Sequence, residues 1–188
     1  MKTTEPIRDR EDVKKLVKYF LNLKQIRNYL LIMLGLHTSL RISDILSLTW
    51  GDVYDHATKK IRTHIRLSEG KTKKYQQIKI NFYLSEALLM AVENTLPGQF
   101  IIENTRTKKA LSRVQAYRII RAAGEAIALQ KSIACHSLRK TFGYHAWKDG
   151  VALAVIMEIY NHSNFDVTRR YLGVSQDDKD AVFMGVKY

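Results

Sequence analysis

The chain has 188 residues and is 46% hydrophobic, which suits one compact domain with a full core. Its 31 Lys and Arg against 18 Asp and Glu leave a formal charge of +13, which points to a polyanionic partner or an anionic surface. A single cysteine, Cys135, excludes an intrachain disulfide, and no apolar run reaches the roughly 18 residues needed to span a bilayer.

Residues 1–11 read as a polar N-terminal arm without the apolar stretch of a secretory signal. Asp12 to Leu23 has the period of an amphipathic helix, with Val13, Leu16, Val17 and Phe20 on one stripe. Gln25 to His37 predicts a second, largely buried helix. Ile42 to Leu48 predicts a short one that turns Ile45, Leu46 and Leu48 inward, and Trp50-Gly51-Asp52 then turns the chain.

The pattern next switches to period two. Lys60 to Arg66 and Tyr75 to Phe82 alternate apolar and polar residues around a turn at Glu69-Gly70-Lys71, which predicts a β-hairpin or small antiparallel sheet. Leu84 to Leu96 reads as a helix stopped by Pro97-Gly98, and Phe100 to Ile102 as a short buried strand. Helices follow over Leu111 to Leu129, with Arg113, Arg118 and Arg121 exposed, over His136 to Lys148, and over Ala152 to Tyr160, the last one buried. Asp166 is placed to cap a short helix that carries Tyr171. Gln176 to Met184 has an apolar face at Ala181, Val182 and Phe183. The fold class is mainly α with a small antiparallel β-sheet (α+β).

The residues with chemistry are spread along the chain. Arg41 lies in Thr38-Ser39-Leu40-Arg41-Ile42-Ser43-Asp44, His136 and Arg139 in His136-Ser137-Leu138-Arg139-Lys140-Thr141, His162 in Asn161-His162-Ser163, and Tyr171 nine residues after His162. Two arginines can neutralise the non-bridging oxygens of a phosphodiester, histidines can move protons, and a tyrosine can attack phosphorus. Such a set needs neither a metal nor a nucleotide cofactor. Each residue alone has a plainer reading: Arg41 as a helix-end charge, His136 and Arg139 as one helix face, His162 as a loop residue, Tyr171 as one of ten half-buried tyrosines. Cys135, in an apolar stretch, reads as a small buried residue rather than a nucleophile.

Taken in order with these intervals, the boxes resemble the catalytic domain of the tyrosine recombinases, the phage-integrase family. The first box, Thr38 to Asp52, is similar to the family's Thr-Gly-Leu-Arg box; the second and third are similar to its His-x-Leu-Arg and Gly-His-Ser boxes. Ser39 and Asn161 stand where the family usually has glycine, and Lys140 where many relatives have histidine. The resemblance implies that Arg41 and Arg139 hold the scissile phosphate and that Tyr171 attacks it, leaving a 3′-phosphotyrosyl link and a free 5′-hydroxyl. It further implies that Lys71, on the hairpin, protonates the leaving 5′-oxygen, with Lys73 and Lys74 as nearby competitors for that role. His136 accepts the tyrosine proton or binds the phosphate, His162 hydrogen-bonds the phosphate, and Asp44 orients the second box.

On this resemblance, residues 12–175 are the catalytic domain and 176–188 a tail that docks on its own or a neighbouring protomer. Little chain precedes Asp12 to hold the core-binding domain that most relatives carry. The implied activity is site-specific recombination without metal or ATP, as the integrase of a phage or mobile element. A Xer-like dimer-resolution recombinase, or a non-catalytic DNA-binding protein retaining the fold, are the alternatives. The implied partner is double-stranded DNA with a specific core site, bound by a tetramer of protomers on synapsed DNA, with an accessory directionality or bending protein. No membrane partner is expected, and the single cysteine suits the cytoplasm.

Overall fold

The computed structural model describes residues 4–70, 73–174 and 176–186. Ten helices and four short strands run in the order α1 (Arg10–Asn22), α2 (Ile26–Thr38), α3 (Ile42–Ser47), α4 (Trp50–Val53), β1 (Tyr54–Asp55), β2 (Lys60–Ile61), β3 (His64–Ser68), β4 (Tyr75–Lys79), α5 (Phe82–Leu89), α6 (Arg113–Ala126), α7 (Cys135–Lys148), α8 (Leu153–Ile159), α9 (Phe165–Leu172) and α10 (Gln176–Gly185) among the described residues. The α+β class expected from the sequence is the one observed.

The Asp9 side chain starts α1 by accepting from the Glu11 backbone N–H, and Glu11 and Asp12 put negative charge in its first turn. Leu16 and Phe20 point into the core. Helix α2 is buried from Tyr29 to Leu36 and packs on α1, α5 and α7, which makes it the axis of the domain. Burying each such leucine stabilises by about 1.5–3 kcal/mol, so this helix anchors whatever is attached to α7.

Several expectations need correction. Trp50-Gly51-Asp52 is a helical turn, not a plain one, because Asp52 accepts from both the backbone N–H and the hydroxyl of Thr49 at 2.7 and 2.8 Å. The strand expected over Lys60 to Arg66 is two strands in two separate two-stranded antiparallel sheets, β1–β2 and β3–β4. It breaks between Arg62 and Thr63: the Arg62 N–H still donates to the Val53 carbonyl in register with β1–β2, whereas the Thr63 carbonyl accepts from the Ile80 N–H in register with β3–β4. Phe82 leaves the strand pattern because Asn81 caps α5, and it is exposed.

Helix α5 ends at Leu89, well before Pro97. The segment beyond it turns back, and the Pro97 and Gln99 carbonyls accept the Gly51 and Trp50 N–H groups at the start of α4. Phe100 makes only an isolated bridge to Thr49, although Ile101 and Ile102 are buried as expected. A Ser112–Gln115 capping box starts α6 at Arg113, two residues after Leu111. Helix α8, expected to be buried, has only Ile156 and its C-cap Tyr160 buried, and its other residues are half-buried or exposed. The cap of α9 is Asn164, whose side chain accepts from the Asp166 N–H; Asp166 lies in the first turn instead.

The arm is less polar in its packing than in its composition. Ile7 is buried against α7, where its N–H donates to Thr141 Oγ1 at 2.9 Å and its carbonyl lies 3.0 Å from His145 Nε2. The expected apolar face of α10 does not complete the core: Val182, Phe183 and Met184 are 64%, 79% and 85% exposed.

Candidate active site

Four helices and one hairpin converge on the site. Arg41 is the N-cap of α3, following Ser39, whose left-handed backbone (φ 59°) ends α2. Arg139 lies in the middle of α7 and is only 2% exposed. Its Nη1 donates to the Ser39 carbonyl and its Nη2 to the Tyr160 carbonyl at 2.8 Å, while the guanidinium sits 4.7 Å over the Tyr160 ring. Burial, and then the neighbouring Arg41 charge, push its pKa down from the usual arginine value. A guanidinium keeps its proton regardless, so the charge is fixed. The Arg139 Nε has no hydrogen-bond partner among the described residues.

The two family departures sit beside these carbonyls. Ser39 (φ 59°) and Asn161 (φ 52°) are both left-handed, the backbone region that glycine enters without a Cβ penalty. The first turn aims the Ser39 carbonyl, and the second follows the Tyr160 carbonyl, so both fix Arg139. Gly143 is needed for a different reason. A Cβ there would overlap the Tyr160 hydroxyl, which donates to the Arg139 carbonyl at 2.8 Å.

Glu69 is the residue the sequence reading missed. It is fully buried at the end of β3, with Oε1 2.6 Å from Arg41 Nη1 and 4.0 Å from Arg139 Nη1. Its Oε2 accepts from Asn161 Nδ2 at 3.2 Å. One carboxylate thus offsets the arginine pair and ties the hairpin to all three boxes. Its place directly before Gly70-Lys71 was the available signal, read only as a turn. Asp44 acts on the hairpin too: its Oδ1 accepts from the Gly70 N–H at 3.0 Å. The expected role, orienting the second box, is not what this bond does. Lys71 lies outside the described residues.

The second half of the site surrounds Tyr171 on α9. Its hydroxyl is 3.1 Å from His136 Nδ1. Its ring meets the His162 ring edge-on at 5.0 Å and the Tyr160 ring at 5.2 Å. Lys140 Nζ lies 5.2 Å over the Tyr171 ring and donates to the Thr4 carbonyl at 2.6 Å. Desolvation, and then the Arg139, Lys140, Arg113 and Arg41 charges, lower the His136 pKa, so the ring is neutral at pH 7 and can accept a proton. Desolvation and the Arg139 and Arg41 charges bring His162 down to about 4. His162 Nδ1 is 3.0 Å from Thr168 Oγ1, which fixes the ring against α9.

Arg41, His136, Arg139, His162 and Tyr171 are therefore brought together. A cleft of about 1050 Å³ opens beside Tyr171 and His136, with Tyr117, Arg121, Lys131 and Lys140 on its walls. Its cations suit an anionic backbone. Burial pushes the Cys135 thiol up, which keeps it protonated and unreactive. Among the described residues, no three His, Cys, Asp or Glu side chains are grouped to hold a metal ion, and no helix is long and apolar enough to cross a membrane.

Comparison with known proteins agrees with this geometry. The family model "Phage integrase family" matches residues 8–177. The probable integrase/recombinase YoeC of Bacillus subtilis (strain 168) is 37% identical over 183 residues, covering 97% of both chains. The tyrosine recombinase XerA of Pyrococcus furiosus is 26% identical over 88% of this chain and 56% of its own. Among solved structures, a XerA recombinase superposes with a TM-score of 0.78 at 17% identity, over 100% of this chain and 66% of that one. A lambda integrase dimer bound to a COC′ core site gives 0.71 at 19%, over 100% and 63%. The chain thus spans nearly all of YoeC but between half and two thirds of these other relatives.

Proposed function

This chain belongs to the phage integrase family of tyrosine-type site-specific recombinases, and we propose that it cuts and rejoins double-stranded DNA at a specific core site through a 3′-phosphotyrosyl intermediate. The observation that carries this reading is the Tyr171 hydroxyl, 3.1 Å from His136 Nδ1, on an open basic cleft, with the buried Arg139 and the half-buried Arg41 on the same site.

In the proposed step the Tyr171 oxygen attacks phosphorus as its proton passes to His136 Nδ1. Arg41 and Arg139 offset the charge that grows on the phosphoryl oxygens, a contribution realised mainly in the transition state. The Arg139 Nε–H, without a hydrogen-bond partner among the described residues, is a donor left to offer the phosphate. His162 adds a hydrogen bond to the phosphate. The 5′-oxygen leaves and takes a proton from Lys71, the role implied by its match to the family's hairpin lysine. The phosphodiester bond is exchanged for a phosphotyrosyl ester of similar energy, so rejoining needs no ATP.

The biological role we propose is integration of a phage or mobile element, in keeping with the likeness to the probable integrase/recombinase YoeC, with dimer resolution by the same chemistry as the alternative. The intact nucleophile and proton acceptor speak against a purely DNA-binding role. Four protomers on synapsed DNA, aided by an accessory directionality or bending protein, complete the proposed reaction in the cytoplasm. The exposed apolar end of α10 is suited to contact between those protomers.

The test is a nicked duplex carrying the sequence this protein selects from a random pool, incubated in excess chelator. An adduct that survives denaturing electrophoresis is expected from the wild type and absent from Tyr171→Phe. An equal adduct from Tyr171→Phe, or none from wild type on bound duplex, contradicts the reading.

A further inference from the structure

We infer that Arg8 is a positioning residue for the nucleophile, joining the N-terminal arm, the end of the nucleophile helix and the tail helix in one clamp. The inference rests on Tyr171 being the nucleophile.

Helix α9 has little apolar anchorage, since only Thr168 and Leu172 are buried in it. It ends at Gly173, whose left-handed backbone (φ 66°) stops the helix two residues after Tyr171. Arg8 Nη2 donates to the Gly173 carbonyl at 2.5 Å. Helix C-termini carry partial negative charge, so a guanidinium there both caps and fixes the end. Arg8 Nη1 reaches Asp178 Oδ2 of α10 at 3.4 Å, and Asp178, only 8% exposed, also accepts from Lys148 Nζ of α7 at 2.9 Å. The guanidinium lies 5.3 Å over the Tyr144 ring of α7. This is one planar fork with a carbonyl, a buried carboxylate and a ring face, an arrangement lysine does not reproduce.

The same arm holds the other side of the nucleophile, because the Thr4 carbonyl secures Lys140 against the Tyr171 ring. Tail, arm and nucleophile therefore share partners. If the tail leaves α7, Asp178 goes with it, and Arg8 loses one of the groups that orient it toward Gly173. The expected consequence falls on the rate of attack, because small misplacements of a reacting group are costly, and not on DNA affinity.

The experiment measures adduct formation on the selected nicked duplex at saturating protein, well below each variant's melting temperature, together with the Kd for the same duplex. Arg8→Ala is expected to slow attack about tenfold and leave Kd within about twofold. Arg8→Lys should recover part of the rate. Adding Asp178→Asn to Arg8→Ala should cost nothing further, because both act through one clamp. Hydrogen exchange without DNA supplies an independent readout: Arg8→Ala should speed exchange over residues 169–173 and leave α2 unchanged. A wild-type rate in Arg8→Ala, an equal loss of rate and affinity, or unchanged exchange over 169–173 overturns the clamp. Absence of adduct from the wild type overturns the functional reading instead, and the exchange result still decides the clamp.

Discussion

Arg139 and Tyr171 serve one site from different kinds of support. Arg139 grows from α7, where Ser137, Leu138 and Thr141 are buried and the helix packs on α2, the most buried helix of the main core. Tyr171 grows from the eight-residue α9, which packs on a small separate cluster of Ile156, Tyr160 and Leu172. Elements with few buried apolar contacts open at low free-energy cost. The contrast teaches that the proposed anion seat is built in advance, whereas the proposed nucleophile rests on a small cluster and on polar contacts that a partner or a DNA complex can rearrange.

The largest effect should come from removing the counter-charge of the rigid half. Glu69→Ala leaves the buried Arg139 and the half-buried Arg41 guanidiniums without their carboxylate and should destabilise the protein by about 3–5 kcal/mol in denaturant unfolding. A loss below about 1 kcal/mol would mean that the arginines are held by their carbonyls alone. A direct comparison of the two halves comes next. Amides of α2 should exchange only on global unfolding, whereas those of α9 should exchange through openings about 2 kcal/mol or more cheaper. Equal protection of the two helices would erase the contrast.

Acid should weaken the site next, by a smaller amount because the His162 ring is partly exposed. Unfolded His162 takes up its proton near 6.5 and folded His162 near about 4. Between these values the unfolded state binds more protons, so stability present above pH 6.5 is lost as the pH falls toward 4. His162→Gln should flatten that part of the melting-temperature profile, and an unchanged slope would assign the sensitivity elsewhere. His136 is lowered in the same direction, so the acid limb of the attack rate should have its midpoint below 6.5. The smallest effect is expected at Ser39, which pays for its left-handed backbone and has a buried hydroxyl without a hydrogen-bond partner among the described residues. Ser39→Gly should gain about 1 kcal/mol; a loss would show that the hydroxyl is satisfied in solution.

What the sequence made legible was local. The stripe of α1, the apolar run of α2 and the three boxes each lie within a short window, and periodicity or spacing reads such windows well. The errors arose where distant chain decides. Helix α5 stops early because the segment after it supplies carbonyls to α4, and no local signal marks that pairing. Glu69 looked like a turn residue because its value depends on Arg41, 28 positions earlier, and Asn161, 92 later. Arg8 looked like part of a polar arm because Gly173 and Asp178 lie at the far end of the chain. Ser39 and Asn161 looked like departures, and the structure shows why glycine suits both places: each backbone is left-handed.

The most direct measurement maps the covalent bond itself. Adduct formed on the nicked duplex in chelator would be digested with protease and nuclease, and the nucleotide-bearing peptide sequenced by mass spectrometry. A single phosphotyrosyl link is expected, at Tyr171. A link at any other of the ten tyrosines, or at a serine or cysteine, would contradict it.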